Sequence, residues 1–292
     1  MPEAARKPKR IGEEERRRHA RMTGGEPILD FDGEATPFVQ YQESDVLLSL
    51  QNPQSGQHDE MAFLMSGQLM ELMFKLADHE LREAQRRIRA DDVAGALQTL
   101  RRATRVEEVL VKMWDLVGTI TPNQFLAFRD HLGTSSGFQS YAYRHLEFTL
   151  GNKVKAMLKP HRGSPRAHAA LQAALEAPSL YDDVLALLVR RGHAIPAEHL
   201  ERDLAAPYEP HAAVEAAWLA VYGEPQSDLY ALAEALLDVA DLYKQWRYRH
   251  LVTVERILGS KPGTGGTSGV TWLRRIAQHE FFPELWHVRG AL

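Results

Sequence analysis

Through two very long stretches of this chain, apolar residues return every three or four positions, and almost nowhere do they alternate as a half-buried strand requires. In the first, residues 58–89, the period is carried by Leu69, Leu72, Met73, Leu76, Leu81, Ala84 and Ile88, with Asp59 and Glu60 where the positive end of a helix dipole favours them. In the second, residues 227–258, it continues until Gly259 stops it. A third run starts at Asp91 or Asp92 and is carried by Val93, Leu97, Leu100, Leu110, Met113 and Val117. Thr121-Pro122-Asn123-Gln124 reads as a helix start: Thr caps, Pro takes the first helical position, and Gln can return a bond to the cap. That helix should end near Gly133, and helical spacing resumes over residues 139–158 after a turn at 135–138. Val46, Leu47, Leu48 and Leu50 suggest a short helix within residues 38–51, closed by the turn residues 52–56, and residues 210–222 add one more large helix. The pattern implies an all-α fold, a helical bundle. Residues 159–210, richer in Ala, Pro and short helices, read as an inserted helical arm within one domain spanning 26–292.

Composition narrows the class. At 292 residues and 44% hydrophobic content, the chain can fill a core, but residues 1–25 are so charged that they read as a disordered, solvated tail. A basic nucleic-acid arm is the sharper reading of Lys7 to Arg10 and Arg16 to Arg18, and the interleaved Glu13, Glu14 and Glu15 weaken it. With 35 Lys and Arg against 39 Asp and Glu, the formal charge is −4, so no overall electrostatic case for nucleic acid exists. The chain has no Cys, which excludes disulfides, thiolate metal sites, Cys nucleophiles and covalently attached haem, and it has 13 His. No apolar run suits a membrane span or a secretory signal, so a cytoplasmic protein is expected.

Four features depart from ordinary bundle chemistry. Arg129 shares a helix face with Phe125, Phe128 and Leu132; it pairs with a nearby acid, or it is a planar fork waiting for a substrate carboxylate. His250 lies on one face with Tyr243, Trp246, Val254 and Ile257; it is a core histidine bonded to a carbonyl, or a neutral imidazole offered to haem iron. Gly67 weakens a helix interior by about 1 kcal/mol against Ala, so it reflects drift or the close approach of a flat cofactor or substrate one turn after Phe63. Residues 261–269 hold four glycines with Thr and Ser; no Gly-Lys-Thr opens the next helix, so the segment suits an active-site lid rather than a phosphate loop.

Six segments in order, His58-Asp59-Glu60-Met61, Phe125 to Arg129, Ser136 to Ser140, Arg249-His250 with Thr253 to Ile257, Gly263 to Gly269, and Phe282 to Trp286, resemble the tryptophan 2,3-dioxygenase family of haem-dependent aromatic oxygenases. The resemblance runs over residues 38–292. It implies that His250 is the axial ligand of a non-covalent b-type haem contacted by Trp246, Tyr143 and Gly137. Arg129 then clamps the substrate carboxylate, Thr264 touches its ammonium and carboxylate ends, and Phe63, Phe125 and Ser136 line the pocket. Phe38, Tyr41 and Gln42 match a segment that reaches into a neighbouring subunit, which implies a homo-oligomer, a tetramer with N-terminal segment exchange.

The chain departs from the family at Gly67, where a distal His is usual, and at Gln42, where Leu is usual. Catalytic Gly67, Arg129 and Thr264 thus leave two outcomes open. Either O2 opens the indole ring of L-tryptophan to N-formylkynurenine, or one oxygen enters a modified tryptophan such as β-methyl-L-tryptophan and a 2-oxindole forms, as in a natural-product offshoot of the family. A non-catalytic haem sensor or scaffold is the reading from another class; an intact Arg129, Thr264 and glycine lid weigh against it.

Overall fold

The computed structural model describes residues 10–31 and 35–292 and divides the chain into two compact units, Met1–Pro53 and Gln54–Leu292. In the first unit, α1 (Glu13–Met22) occupies part of the expected tail, whose positions 1–9 lie outside the described residues. No residue of α1 is buried, so apolar burial does not hold it. Glu13 to Glu15 sit in its first turn, His19 and Arg21 in its last, and Arg17 reaches Glu13 at 3.4 Å one turn away. α2 (Pro37–Gln42) starts on Thr36, whose hydroxyl accepts from the Val39 amide at 3.3 Å, and Glu43 at φ 48° separates it from α3 (Ser44–Leu47).

The second unit is built on three long helices. α4 (Asp59–Arg89) opens where Glu60 accepts the Gln54 and Ser55 amides, each at 2.7 Å, together with the Ser55 hydroxyl. α5 (Val93–Val117) follows a tight reversal at Asp91, φ 61°, and Asp92 caps it by accepting from the Gly95 amide at 2.9 Å. Ala77, Leu81, Ala84 and Ile88 on α4 and Val93, Ala96, Leu100 and Ala103 on α5 are all buried in one core, and the alanines let the two helices pack closely. Each wholly buried Leu or Ile contributes about 1.5–3 kcal/mol.

α6 (Pro122–Arg129) carries the capping box expected of Thr121 and Gln124, and a single 3-10 turn carries it on to Leu132. Gln124 also donates to Asp59 at 3.0 Å, fixing the start of α6 to the start of α4. α7 (Tyr141–Leu150) is shorter than the spacing suggested, because Gly151 ends it at φ 108° and residues 155–161 continue as a 3-10 turn.

In the expected arm, α8 (Pro165–Glu176) buries Leu171 and Leu175 with Phe148 and Leu158 as a small separate cluster. Lys153, almost wholly buried, caps this helix by donating to the carbonyls of Ala174, Leu175 and Ala177 at 2.6, 3.0 and 2.7 Å, and burial draws its ammonium down to about 8. α9 (Leu180–Arg190) instead joins the main core and is locked to α4 by Asp183, which takes Arg89 at 2.7 and 2.8 Å and Gln85 at 2.8 Å.

After α10 (Ala197–Leu200) and α11 (Ala212–Tyr222), α12 (Asp228–Leu258) starts on a Ser227 cap and ends at Gly259, φ 61°, packing along α5. α13 (Val270–Ala277) and α14 (Pro283–His287) close the unit. Glu284, wholly buried, accepts from the Tyr181 and Tyr208 hydroxyls at 2.9 and 2.6 Å and from the His211 amide at 2.9 Å, which ties α14 to the core. Among the described residues there is no strand, and no helix is long and apolar enough to cross a membrane.

Candidate functional site

α12 presents Tyr243, Trp246 and His250 along one face at steps of three and four. The half-buried His250 ring stacks on Trp114 of α5 with centroids 4.4 Å apart and planes 8° apart, and lies 5.8 Å from Trp246. Trp246 meets Trp114 at 5.6 Å, Phe74 of α4 edge-on at 5.4 Å and Tyr143 of α7 at 5.1 Å. Among the described residues no hydrogen bond or ion pair reaches His250; burial draws its imidazole down to about 4, so the ring is neutral near pH 7 and keeps a lone pair to give. The indole N–H groups of Trp114 and Trp246 are buried without partners. A neutral imidazole on a rigid helix, aromatic neighbours and orphaned donors fit a flat, non-covalently held porphyrin, whose iron His250 would hold.

An ionic frame holds one of those walls. Arg247, 3% exposed, donates to Glu147 at 2.6 Å, to the Tyr143 hydroxyl at 3.2 Å and to the His279 carbonyl at 3.2 Å, and Arg144 adds a second contact to Glu147. Burial pulls the Glu147 carboxyl up, but the two guanidinium groups overcome it and hold it below the usual range; burial pushes the Tyr143 phenol up to about 12. Glu107 on α5 has no such support. It is 1% exposed, neither carboxyl oxygen has a partner, and burial raises it well above the usual carboxylate range.

A second group of residues gathers where α4 meets α6. Phe63, Phe125 and Phe128 form a three-ring box with centroids 5.2–5.6 Å apart. One turn beyond Phe63 stands Gly67, and a Cβ built there would meet no heavy atom within 4 Å. Arg129 forms no ion pair among the described residues; its Nη2 donates to the Pro262 carbonyl at 2.5 Å while its Nε is buried without a partner. Thr264 donates to the Ser135 carbonyl at 2.5 Å. Gly265 lies so close to residues 136–138 that a Cβ there would stand 2.5 Å from the Phe138 ring and 2.7 Å from the Ser136 Cβ. Only glycine lets the 261–269 segment settle on that turn.

The description "Tryptophan 2,3-dioxygenase" belongs to the family model that matches residues 23–224 and 220–292. The chain is 50% identical over 266 residues to a tryptophan 2,3-dioxygenase of Polaromonas sp. strain JS666, covering 90% of each. It is also 50% identical over 266 residues to the tryptophan 2,3-dioxygenase of Burkholderia pseudomallei strain 668, covering 90% of this chain and 87% of that protein. The chain belongs to the tryptophan 2,3-dioxygenase family. That family consists of haem-dependent oxygenases, so the chain is an enzyme with haem as its cofactor, and the scaffold reading is set aside.

Of the residues singled out from the sequence, the structure gathers Phe63, Gly67, Phe125, Arg129, Ser136 and Thr264 around one region, and Tyr143, Trp246 and His250 around another. Gly137 faces open space. Phe38, Tyr41 and Gln42 belong to the other unit, where Phe38 and Tyr41 are 69% and 72% exposed. Among the described residues, His250 is bonded to no carbonyl and Arg129 is paired with no acid. Sequence reasoning missed Trp114, whose only signal was its place on the face of α5 shared with Leu110 and Val117, and it missed the carbonyls of Pro262 and Ser135.

Proposed function

We propose that this chain oxidises the indole C2=C3 bond of a tryptophan held by Arg129 and Thr264, and that Gly67 opens the pocket to a tryptophan with an additional substituent, such as β-methyl-L-tryptophan. In this reading His250 would hold the haem iron, and Trp246, Tyr143 and Gly137 would line the haem site. Haem supplies the activation of O2 when bound. Arg129 binds the carboxylate through the fork that now touches Pro262 and through its unpartnered Nε. The Phe63, Phe125 and Phe128 rings hold the indole and exclude water, with Ser136 at the pocket edge.

The observation that carries the reading is that a Cβ at Gly67, an exposed position one turn from Phe63, would meet no heavy atom within 4 Å. Turnover of both substrates under labelled O2, read by product mass, tests it: a gain of one oxygen on β-methyl-L-tryptophan supports it. Equal gains of two oxygens, with no preference between substrates, refute it. A second reading, ring opening of L-tryptophan to N-formylkynurenine, is supported by 50% identity to a tryptophan 2,3-dioxygenase across 90% of the chain.

The same reading includes a homotetramer in which Phe38, Tyr41 and Gln42 complete a neighbouring copy's site, with residues 26–292 acting as one functional domain. Phe38, Tyr41, Val46, Leu48 and Leu50 are exposed in the first unit, and α4 exposes Met65, Leu69, Leu72 and Leu76 at helical spacing. Light scattering of the purified protein tests this, and a monomer at micromolar concentration refutes it.

A further inference from the structure

A cavity of about 530 Å³ between α4, α7 and α8 shares no lining residue with either region described above. Its polar wall is Lys75 and Asp78 of α4, His145 of α7, and Ser164 and Arg166 at the start of α8. Asp78 is already satisfied: it faces His145 Nδ1 at 2.9 Å and accepts from the Thr149 hydroxyl at 2.8 Å. That contact fixes the imidazole and leaves Nε2 as its free nitrogen. Lys75 and Arg166, by contrast, have no acidic partner among the described residues, so the uncompensated charge of the cavity is positive.

The start of α8 adds donors. Ser164 stands at the N-cap, where serine usually accepts from the second or third helical amide, yet it makes no such bond. Pro165 has no N–H, and the amides of Arg166 and Ala167 bond to no backbone carbonyl. Two free cations, an anchored imidazole, an idle hydroxyl and open amides therefore surround one space, which is the donor set of a carboxylate or phosphate site. The remaining wall is flat and apolar, made by the half-exposed Tyr141 ring with Ala142, Ala167 and Ala170. A bare inorganic anion would leave that wall unused, whereas a planar ring bearing one carboxylate would cover it.

We propose that this cavity binds a small aromatic carboxylate at a site separate from the tryptophan pocket. The test is calorimetric titration of the haem-loaded enzyme at low ionic strength with benzoate and, in parallel, inorganic phosphate. Benzoate should bind saturably, more tightly than phosphate, and more weakly as salt is added. The double substitution Lys75→Gln with Arg166→Gln should weaken benzoate about tenfold, since both side chains are exposed and neither supports the fold. Arg129→Gln should leave the benzoate affinity unchanged, which separates this site from the substrate clamp. Absence of saturable benzoate binding overturns the proposal, as does binding that is lost in Arg129→Gln but kept in the double variant. Phosphate binding as tightly as benzoate overturns the aromatic assignment.

Discussion

Gly67→Ala perturbs stability and selectivity in ways that can be worked from one position. Residue 67 is interior to α4, its φ is not positive, and no heavy atom lies within 4 Å of the new Cβ. The methyl group therefore meets neither a clash nor backbone strain, and the full difference in helix propensity, about 0.8–1 kcal/mol, should appear as added stability. For a unit of this size, residues 54–292, that corresponds to a rise in Tm of roughly 2–4 °C. Scanning calorimetry of the haem-free and haem-loaded proteins measures it. The methyl group also takes space proposed for the extra substituent of the substrate. One methyl group is worth about 1–3 kcal/mol of discrimination in an apolar pocket, so kcat/KM for β-methyl-L-tryptophan should fall at least tenfold while that for L-tryptophan changes little. An unchanged or lowered Tm would refute the structural half of this reasoning, and equal losses for the two substrates would refute the functional half.

His250→Ala should abolish the Soret band of the purified protein while leaving its helical circular dichroism intact, because the imidazole makes no hydrogen bond among the described residues. Arg129→Gln removes the proposed partner of a carboxylate, a loss of about 2–5 kcal/mol, and should appear as a lower kcat/KM; an unchanged value removes the clamp assignment. Glu107→Gln bears on pH. Because burial raises the folded carboxyl above its unfolded value, its stabilising contribution is complete at low pH and is lost as pH rises from the ordinary carboxylate range through the folded value. The wild type should therefore lose stability across that interval in urea titrations, and Glu107→Gln should flatten the slope; parallel profiles would show that Glu107 does not titrate there.

What the sequence made legible was local. The Thr121 capping box, the helix starts at Asp91 or Asp92 and at residue 227, and the stop at Gly259 all depend on residues within one turn of each other, and each is present. Gly151 was an equally local stop signal, but Val154, Met157 and Leu158 kept helical spacing beyond it and masked the end of α7; they lie instead around a 3-10 turn. The helix at Glu13–Met22 escaped notice because charge pairing rather than an apolar stripe supports it. Contacts that join distant segments left little mark. Arg129 and Pro262 are 133 positions apart, as distant in sequence as Trp114 is from His250 by a similar order, and neither pairing follows from spacing along the chain. The aromatic stripes of α6 and α12 could be drawn from the period alone; the partner each stripe faces could not.

Phe63, Gly67 and Phe74 lie within about three turns of one uninterrupted rod, α4, whose far extremity is clamped by Arg89 to Asp183. The angular phase between Phe63, in its three-ring box, and Phe74, against Trp246, is therefore set by counting residues along α4, not by any loop. Inserting a single residue between positions 67 and 74 would swing one region about 100° around the axis relative to the other, and deleting one would swing it back the opposite way. Length variation in this family should be absent from that interval and tolerated in the turns.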